Sequence, residues 1–358
     1  MIFMGISLLV FSRNDIDNAV SLIKDMKGVV DEIVVIDSSD RKLHERLLRF
    51  AKGEKKLRVY YAVPLGFPEP LRAWAVKKCK SEWIIYLDTD ERLNGRFRKD
   101  LGKIVENAKG NAFAIKRYEK VEKGRRKSGF FTWQIRLYKR DKIIHRGLLH
   151  EQPLVSGNLE KMGDRYYIEH RTDLMHHEVN EYGRSEIIFD RMSYSVYNEN
   201  MLDYVSKVIM PKERSISNSV LGRFIRGAFS AYEGLMGKRG DDELSNFDYS
   251  VFFLIRNLAL NVKSSGINGI AISFGGVRYQ LGKVREWKAR SDSAELFEIS
   301  KIVNIDGTTR YLGLDKEKTV EKLNERYKNG EHGVELLLML LKKKYESGQG
   351  RRMVERDR

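Results

Sequence analysis

Two aspartates separated by one residue are the strongest chemical signal in this sequence. Asp88 and Asp90 follow the hydrophobic run 83–87, which predicts a buried strand. Carboxylates that leave a strand end side by side are suited to holding a hard divalent cation, Mg²⁺ or Mn²⁺, against a diphosphate. A bare Asp-X-Asp also occurs in ordinary acidic turns, where capping and solvation explain it. Whether the pair forms a metal site or an ordinary acidic turn therefore depends on the strands and helices around it.

The segments before this pair alternate between strands and helices. Apolar runs at 6–11, 32–36 and 57–63 predict strands, and helical spacing covers 16–26 and a second stretch that ends at Phe50. Such strands indicate a parallel sheet covered on both faces. Ligands bind beyond the carboxyl ends of these strands, where Arg13, Asp37 and Asp88 would converge. The expected fold class is α/β, a Rossmann-like and mostly parallel sheet flanked by helices.

Other nucleotide-binding signatures do not occur. The sequence contains no G-x-G-x-x-G and no Walker lysine loop, so dinucleotide and P-loop sites lose their main support. A sugar nucleotidyltransferase would also place carboxylates near a nucleotide. Its opening loop is normally rich in glycine, and the stretch 9–13 has none.

Several motifs occur in an order that resembles a known family. They are Asp31-Glu32-Ile33-Val34-Val35-Ile36-Asp37-Ser38, Arg72-Ala73-Trp74-Ala75, Asp88-Thr89-Asp90-Glu91-Arg92, Arg136-Leu137-Tyr138-Lys139-Arg140 and Gly147-Leu148-Leu149-His150-Glu151. Together they resemble the inverting family 2 glycosyltransferases with the GT-A fold, in particular the branch that includes the lipopolysaccharide-core enzymes. The chain departs from that pattern at Ala73, where the family usually has Asn.

The resemblance implies an activity and a set of site residues. It implies a metal-dependent inverting enzyme that moves a sugar from a UDP- or GDP-sugar to an acceptor hydroxyl or phosphate. An inverting transfer needs a group that takes the acceptor's proton. The implied roles are donor binding for Ser12, Arg13, Asp37, Arg72 and Asp88, Mg²⁺ or Mn²⁺ binding for Asp90, Asp88 and His177, and catalysis for Glu151 as base with His150 beside it.

Each of these residues also has an ordinary structural interpretation. Asp37 could cap the following helix, and Arg13 and Arg72 could be surface cations. His150 and Glu151 could form a polar strand end. The pair at 176–177 could be two exposed histidines.

Composition sets the domain organisation. The 358 residues carry a formal net charge of +16 and a single cysteine, which favours a reducing, cytoplasmic location. We expect a catalytic domain over 1–200, a basic and apolar helical region over 201–290, and a C-terminal helical extension with a basic tail over 291–358. The middle region interleaves Lys and Arg with apolar residues, which is typical of helices lying on a membrane surface. A helical subdomain packed on the sheet is the alternative.

The expected partners follow from this organisation. They are a nucleotide-sugar donor, a glycan or lipid-linked acceptor, and an anionic membrane surface contacted from the cytoplasmic side. The basic charge alone also fits a non-catalytic protein that binds nucleotides or nucleic acid. Nucleic acid is not expected as a partner, because the carboxylates cluster at the strand ends where a phosphate would have to lie.

Overall fold

A mixed sheet with helices on both faces organises the chain. The computed structural model describes residues 3–122, 125–126, 131–147, 151–171, 173–174 and 308–347. The strands are β1 (Phe3–Ser12), β2 (Glu32–Asp37), β3 (Leu57–Tyr61), β4 (Ser81–Tyr86), β5 (Glu91–Leu93), β6 (Ala112–Glu122), β7 (Arg125–Arg126), β8 (Phe131–Lys139), β9 (Ile143–Ile144), β10 (Leu154–Val155), β11 (Leu159–Lys161) and β12 (Tyr167–Arg171). The helices are α1 (Ile16–Met26), α2 (Arg41–Ala51), α3 (Arg72–Lys78), α4 (Gly95–Glu106), α5 (Thr308–Leu312), α6 (Glu317–Lys328) and α7 (Gly333–Glu346).

The sheet is parallel at one end and mixed at the other. Its order is β3-β2-β1-β4-β8-β6-β12-β5, and the first four of these strands are parallel. Strand β8 then runs antiparallel to both β4 and β6, while β12 is parallel to β6 and antiparallel to β5. The expected α/β class, with flanking helices and helices at the C-terminal end, is confirmed. The sequence did not reveal the antiparallel pairings, because strand partners are chosen by contacts between distant segments.

Two hydrophobic cores lie on opposite faces of the sheet. One core contains the buried faces of α1 and α4, with Leu22, Phe97 and Leu101 inaccessible to solvent. The other contains Trp74 and Leu337, which belong to α3 and α7. All six residues of β2 are buried, as expected for a strand covered on both sides.

The C-terminal helices belong to the second core. Asn324 of α6 accepts a hydrogen bond from the Val63 backbone N–H at 2.7 Å and donates one to the Tyr61 carbonyl at 2.9 Å. Trp74 donates through Nε1 to Glu317 at 3.0 Å. The helices expected in the C-terminal extension are present as α6 and α7.

The basic region 201–290 and both expected domain boundaries lie outside the described residues. Among the helices that the structure does describe, none is long and apolar enough to cross a membrane.

Candidate active site

The Asp-X-Asp pair lies in the turn between β4 and β5. Asp88 accepts a hydrogen bond from the Tyr86 hydroxyl at 2.5 Å and one from Arg136 at 2.7 Å, so each of its two oxygens has a donor. Thr89, between the aspartates, donates to the Asp15 carboxylate at 2.6 Å. This bond joins the turn to the loop after β1, which brings two strand ends together.

Arg136 is the central cation of the site. Its guanidinium donates to both Asp88 and Glu91, at 2.7 and 2.9 Å, and lies 4.2 Å from the centre of the Tyr86 ring. Burial alone would raise the pKa of Asp88, but Arg136 and the Tyr86 hydroxyl outweigh it and hold that pKa well below its usual range. Burial, together with the negative charge of Asp88, raises the pKa of Glu91. Of the two carboxylates that share Arg136, Asp88 is therefore the one that keeps its charge.

Asp90 is held by a histidine that sequence reasoning did not identify. His170 Nε2 lies 3.2 Å from Asp90 Oδ2, and its Nδ1 lies 3.2 Å from Glu119. Burial opposes protonation of this imidazole, but the two carboxylates raise its pKa to about 10, so it is a cation at neutral pH. The sequence carries no local signal for the pair, because 80 residues separate its members.

The residues fit a cation that is shared with a substrate phosphate. The described residues contain no group of three or more His, Cys, Asp and Glu side chains arranged to hold a metal by themselves. Mg²⁺ is commonly held by one or two carboxylates plus phosphate oxygens and water, and Asp90 could supply one carboxylate through Oδ1, since His170 lies against Oδ2. Asp88 is less suited to direct contact, because Arg136 and Tyr86 already occupy its oxygens. His177 lies outside the described residues.

Asp37 lies at the end of the neighbouring strand β2 and is fully buried. Its oxygens contact Ser39 Oγ and His44 Nδ1, both at 2.6 Å. The N-cap residue of α2 is Asp40, so Asp37 does not occupy the capping position. His44 lies in the first turn of α2, and its ring packs edge-on against Tyr61.

Ser12 and Arg13 lie beside Asp37, where β1 ends. Ser12 pairs with Asp37 in the parallel register of β1 and β2 and is buried. Arg13 is half-buried in the loop that follows. Three of the residues expected to bind the donor, Asp37, Ser12 and Asp88, thus lie at the ends of the neighbouring strands β2, β1 and β4.

Arg72 is buried and is not a surface cation. It begins α3, donates to the Glu151 carbonyl at 3.1 Å and to the Tyr86 hydroxyl at 3.3 Å, and pairs with Glu69. It therefore links the helix to the loop that carries the expected base.

Glu151 is buried and fixed by its own loop. Its two oxygens accept hydrogen bonds from the backbone N–H groups of Arg146 and Gly147, at 2.9 and 3.0 Å. Gly147 has φ of +81°, a conformation that favours glycine. The expected neighbour His150 lies outside the described residues, and the imidazole found beside Glu151 is that of His145, 3.4 Å away.

A cavity of about 210 Å³ lies between Arg72, Asp88 and Glu151. Its lining is dominated by charged and polar side chains, which are Glu69, Arg72, Asp88, Arg117, Gln134, Arg136, His145, Glu151 and Gln152. Three guanidinium groups face three carboxylates and an imidazole in this space. Such a lining suits a polar ligand that carries negative charge and hydroxyl groups.

Comparisons with known proteins add little to this geometry. No protein-family model matches the chain, and no curated protein matches it. Among solved structures, residues 1–349 of S. aureus TarS match with a TM-score of 0.41 and 12% identity, over 84% of this chain and 91% of that one. The same protein in complex with UDP-GlcNAc gives a TM-score of 0.39 and 12% identity, over 77% and 92% of the two chains. The complex of that protein with UDP gives a TM-score of 0.38 and 11% identity, over 77% of this chain and 92% of that one. Overlap of this order shows neither a common family nor a common ligand, so the site's own residues have to carry the functional conclusion.

Proposed function

We propose that this protein is a metal-dependent inverting glycosyltransferase that uses a UDP- or GDP-sugar as donor. The observation that carries the proposal is the charged cavity lined by Arg72, Asp88 and Glu151, together with Asp37 and Asp90, which follow the ends of strands β2 and β4 in the same sheet. In α/β sheets this edge, beyond the carboxyl ends of the strands, is where nucleotides bind.

Each group has a role in such a reaction. The buried carboxylate of Asp37 would accept hydrogen bonds from the base or ribose, and Ser12 and Arg13 would lie beside the nucleotide. Arg72 would bind diphosphate oxygens. Asp90 would hold Mg²⁺ or Mn²⁺, which when bound stabilises negative charge on the leaving diphosphate as a Lewis acid. The proton of the acceptor hydroxyl would pass to the pair formed by Glu151 and His145.

Binding calorimetry with UDP, GDP and their common sugars, with and without Mn²⁺, tests the donor and the metal together. We expect one nucleotide family to bind in the presence of Mn²⁺ and Asp90→Ala to lose that dependence on the metal. Transfer or donor hydrolysis should fall by about a hundredfold or more in this variant. Asp17→Ala is the matched control, since the Asp17 side chain is 79% exposed on α1.

Two results would contradict the proposal. If wild-type protein binds the nucleotide equally well in excess EDTA, the proposed metal dependence is wrong. Release of pyrophosphate from a nucleoside triphosphate and a sugar phosphate would identify a nucleotidyltransferase instead.

We further propose that the acceptor is a lipid-linked glycan presented at the cytoplasmic face of a membrane. The support is the sequence of 201–290, where Lys and Arg alternate with apolar residues, and the net charge of +16. Co-sedimentation with anionic and neutral liposomes over a salt series tests it, and binding to anionic vesicles should weaken with salt without vanishing.

Truncation is a poor comparison in this test, because α6 and α7 pack in the same core as the sheet. The full chain with Lys207, Lys212, Arg214, Arg223 and Arg226 changed to Gln is the better partner. Equal sedimentation of wild type and variant, or of neither with any vesicle, would refute the membrane proposal.

A further inference from the structure

His145 is a buried imidazole beside the expected base, Glu151. It follows β9, is 8% exposed and lines the cavity, and its ring packs edge-on against Tyr138 at 6.0 Å. Within the described part of the chain, neither Nδ1 nor Nε2 has a hydrogen-bond partner. Buried polar atoms without partners are rare, and catalytic groups are one recognised reason for them.

Glu151 stands beside this ring in a fixed position. Nδ1 of His145 lies 3.4 Å from Glu151 Oε1, a long contact, while the backbone N–H groups of Arg146 and Gly147 hold both carboxylate oxygens. In ligand-free enzymes catalytic hydrogen bonds are often long and shorten when substrate binds. A carboxylate facing Nδ1 favours the tautomer with the proton on that nitrogen, which leaves Nε2 as an acceptor.

The surroundings keep the imidazole neutral. Burial lowers the pKa of His145, and the cation Arg72 lowers it further, whereas Glu151 and Glu69 act in the opposite direction. Tyr138, whose ring packs edge-on against the imidazole, adds no charge. A neutral imidazole at neutral pH has a nitrogen that is ready to take a proton.

We propose that His145 is the general base of the transfer and that Glu151 is the positioning residue that orients it. This inference rests on the proposed function. As the acceptor oxygen attacks the anomeric carbon, the bond from that carbon to the diphosphate oxygen breaks and its electron pair leaves with the diphosphate. The hydroxyl proton passes to Nε2, and the resulting imidazolium is stabilised by the Glu151 carboxylate. The proton is later released to water.

This assignment explains both members of the pair. A carboxylate whose two oxygens are tied to the backbone of its own loop is suited to holding a neighbour in place. The imidazole is the member of the pair that has no hydrogen-bond partner among the residues that the structure describes. The sequence did not point to His145, because this residue lies outside the His150-Glu151 dipeptide. No spacing rule connects it to a strand-end carboxylate.

The test uses full-length protein and the donor that binds in calorimetry, with water as the acceptor. We expect His145→Asn to lower the turnover number of donor hydrolysis by about a hundredfold or more, with donor affinity within about threefold of wild type. His332→Asn, at an exposed position before α7, is the matched control and should leave both unchanged.

The pH profile separates the two members of the pair. Wild-type turnover should fall on the acid side as His145 takes up its proton. Glu151→Gln should retain this fall but move it to lower pH, because loss of the negative charge makes the imidazolium less stable. A role for His145 in folding alone would not move the profile in this way.

A second measurement covers the case in which His145→Asn does not fold. Nitrogen-15 spectra of histidine-labelled wild type and Glu151→Gln report the tautomer of each imidazole directly, and we expect one buried ring to change its tautomer or pKa in the variant.

The inference is overturned if His145→Asn folds and hydrolyses donor at the wild-type rate, or if no histidine signal responds to Glu151→Gln. It is also overturned if Glu151→Gln abolishes the acid limb while His145→Asn keeps its turnover, which would make Glu151 the base. Failure of wild type to bind any nucleotide or nucleotide sugar would instead remove the proposed function itself.

Discussion

Replacement of Arg136 by methionine would leave two carboxylates without their shared cation. The guanidinium contacts Asp88 at 2.7 Å and Glu91 at 2.9 Å, and its face lies over Tyr86. Methionine has similar length and no charge, so the change tests the charge and the hydrogen bonds more than the volume. We expect Arg136→Met to destabilise the folded protein and to disturb the turn that carries Asp88.

The size of the effect follows from which carboxylate is buried. Removing one partner of a buried ion pair costs about 3–5 kcal/mol. Asp88 contributes little to this, because its side chain is 35% exposed and water can screen it. Glu91 is fully buried, and Arg117 at 3.0 Å remains as its second cation. Because burial already raises the pKa of Glu91, this carboxylate can take up a proton in the variant, which removes its uncompensated charge. We therefore expect a loss of about 3 kcal/mol, at the lower end of that range.

The pH dependence has a definite sign. The folded-state pKa of Asp88 is lowered, so its contribution to stability is present above the unfolded pKa of about 4 and is lost as the pH falls through the folded value. The part of the difference between wild type and Arg136→Met that comes from Asp88, which is the smaller part, should therefore shrink below about pH 4.

Denaturant unfolding at pH 7 and at acid pH measures both quantities, with thermal midpoints as a check. Arg41→Met is the control, since Arg41 is 92% exposed and pairs with Glu45 within one helix, where ion pairs contribute little. Adding Glu91→Gln to Arg136→Met should recover part of the loss, because the uncompensated buried charge disappears. A loss below about 1 kcal/mol, or no recovery in the double variant, would refute the reasoning.

Three further predictions concern the loops around the cavity. Burial lowers the folded-state pKa of His145 below 6.5, so the unfolded chain binds more protons below that pH and the protein loses stability on acidification. The free energy of unfolding, measured from pH 8 to 5, should therefore depend less steeply on pH in His145→Gln than in wild type. Gly147→Ala should destabilise the protein and reduce donor hydrolysis, because the alanine would have to keep φ of +81° and its Cβ would lie 2.9 Å from the Thr309 nitrogen. An unchanged thermal midpoint would contradict this. His44→Phe should weaken nucleotide binding by about tenfold in calorimetry, since Asp37 would lose a 2.6 Å partner, while an unaltered affinity would place the nucleotide elsewhere.

The framework of the fold was accessible from the sequence because its signals are local. The apolar runs that predicted β1, β2 and β4 are buried strands, and α1 covers Ile16–Met26 as its periodicity indicated. The polar residues after these strands were expected to converge, and the register of β1 and β2 pairs Ser12, the residue before Arg13, with Asp37. Each of these inferences uses residues within one element or at its end.

The missing parts of the site depend on distant contacts. His170 reaches Asp90 across 80 positions, and Arg136 reaches Asp88 across 48. Arg136 was recognised as part of a motif, but its place between two carboxylates follows from the antiparallel pairing of β8 with β4, which the apolar pattern does not encode. His44 gave a weak local signal, since it lies seven residues after Asp37 and one turn into the next helix. A polar residue in the first turn of a helix that follows an acidic strand end is therefore a candidate for contact with that acidic side chain, even where the helical periodicity places it on the exposed face.

The C-terminal segment takes part in shaping the cavity, although it is far from the site in sequence. The Thr309 backbone N–H donates to the Arg146 carbonyl at 2.9 Å, and its hydroxyl donates to the Pro70 carbonyl at 3.2 Å. The first bond holds the loop that fixes Glu151, and the second holds the turn that precedes Arg72. One buried threonine thus sets the separation between the guanidinium on one wall of the cavity and the carboxylate on the other. Because a buried carbonyl that loses its donor is destabilised, undocking of α5 would weaken both attachments, and the geometry of the site therefore depends in part on a segment that follows Glu151 by more than 150 residues.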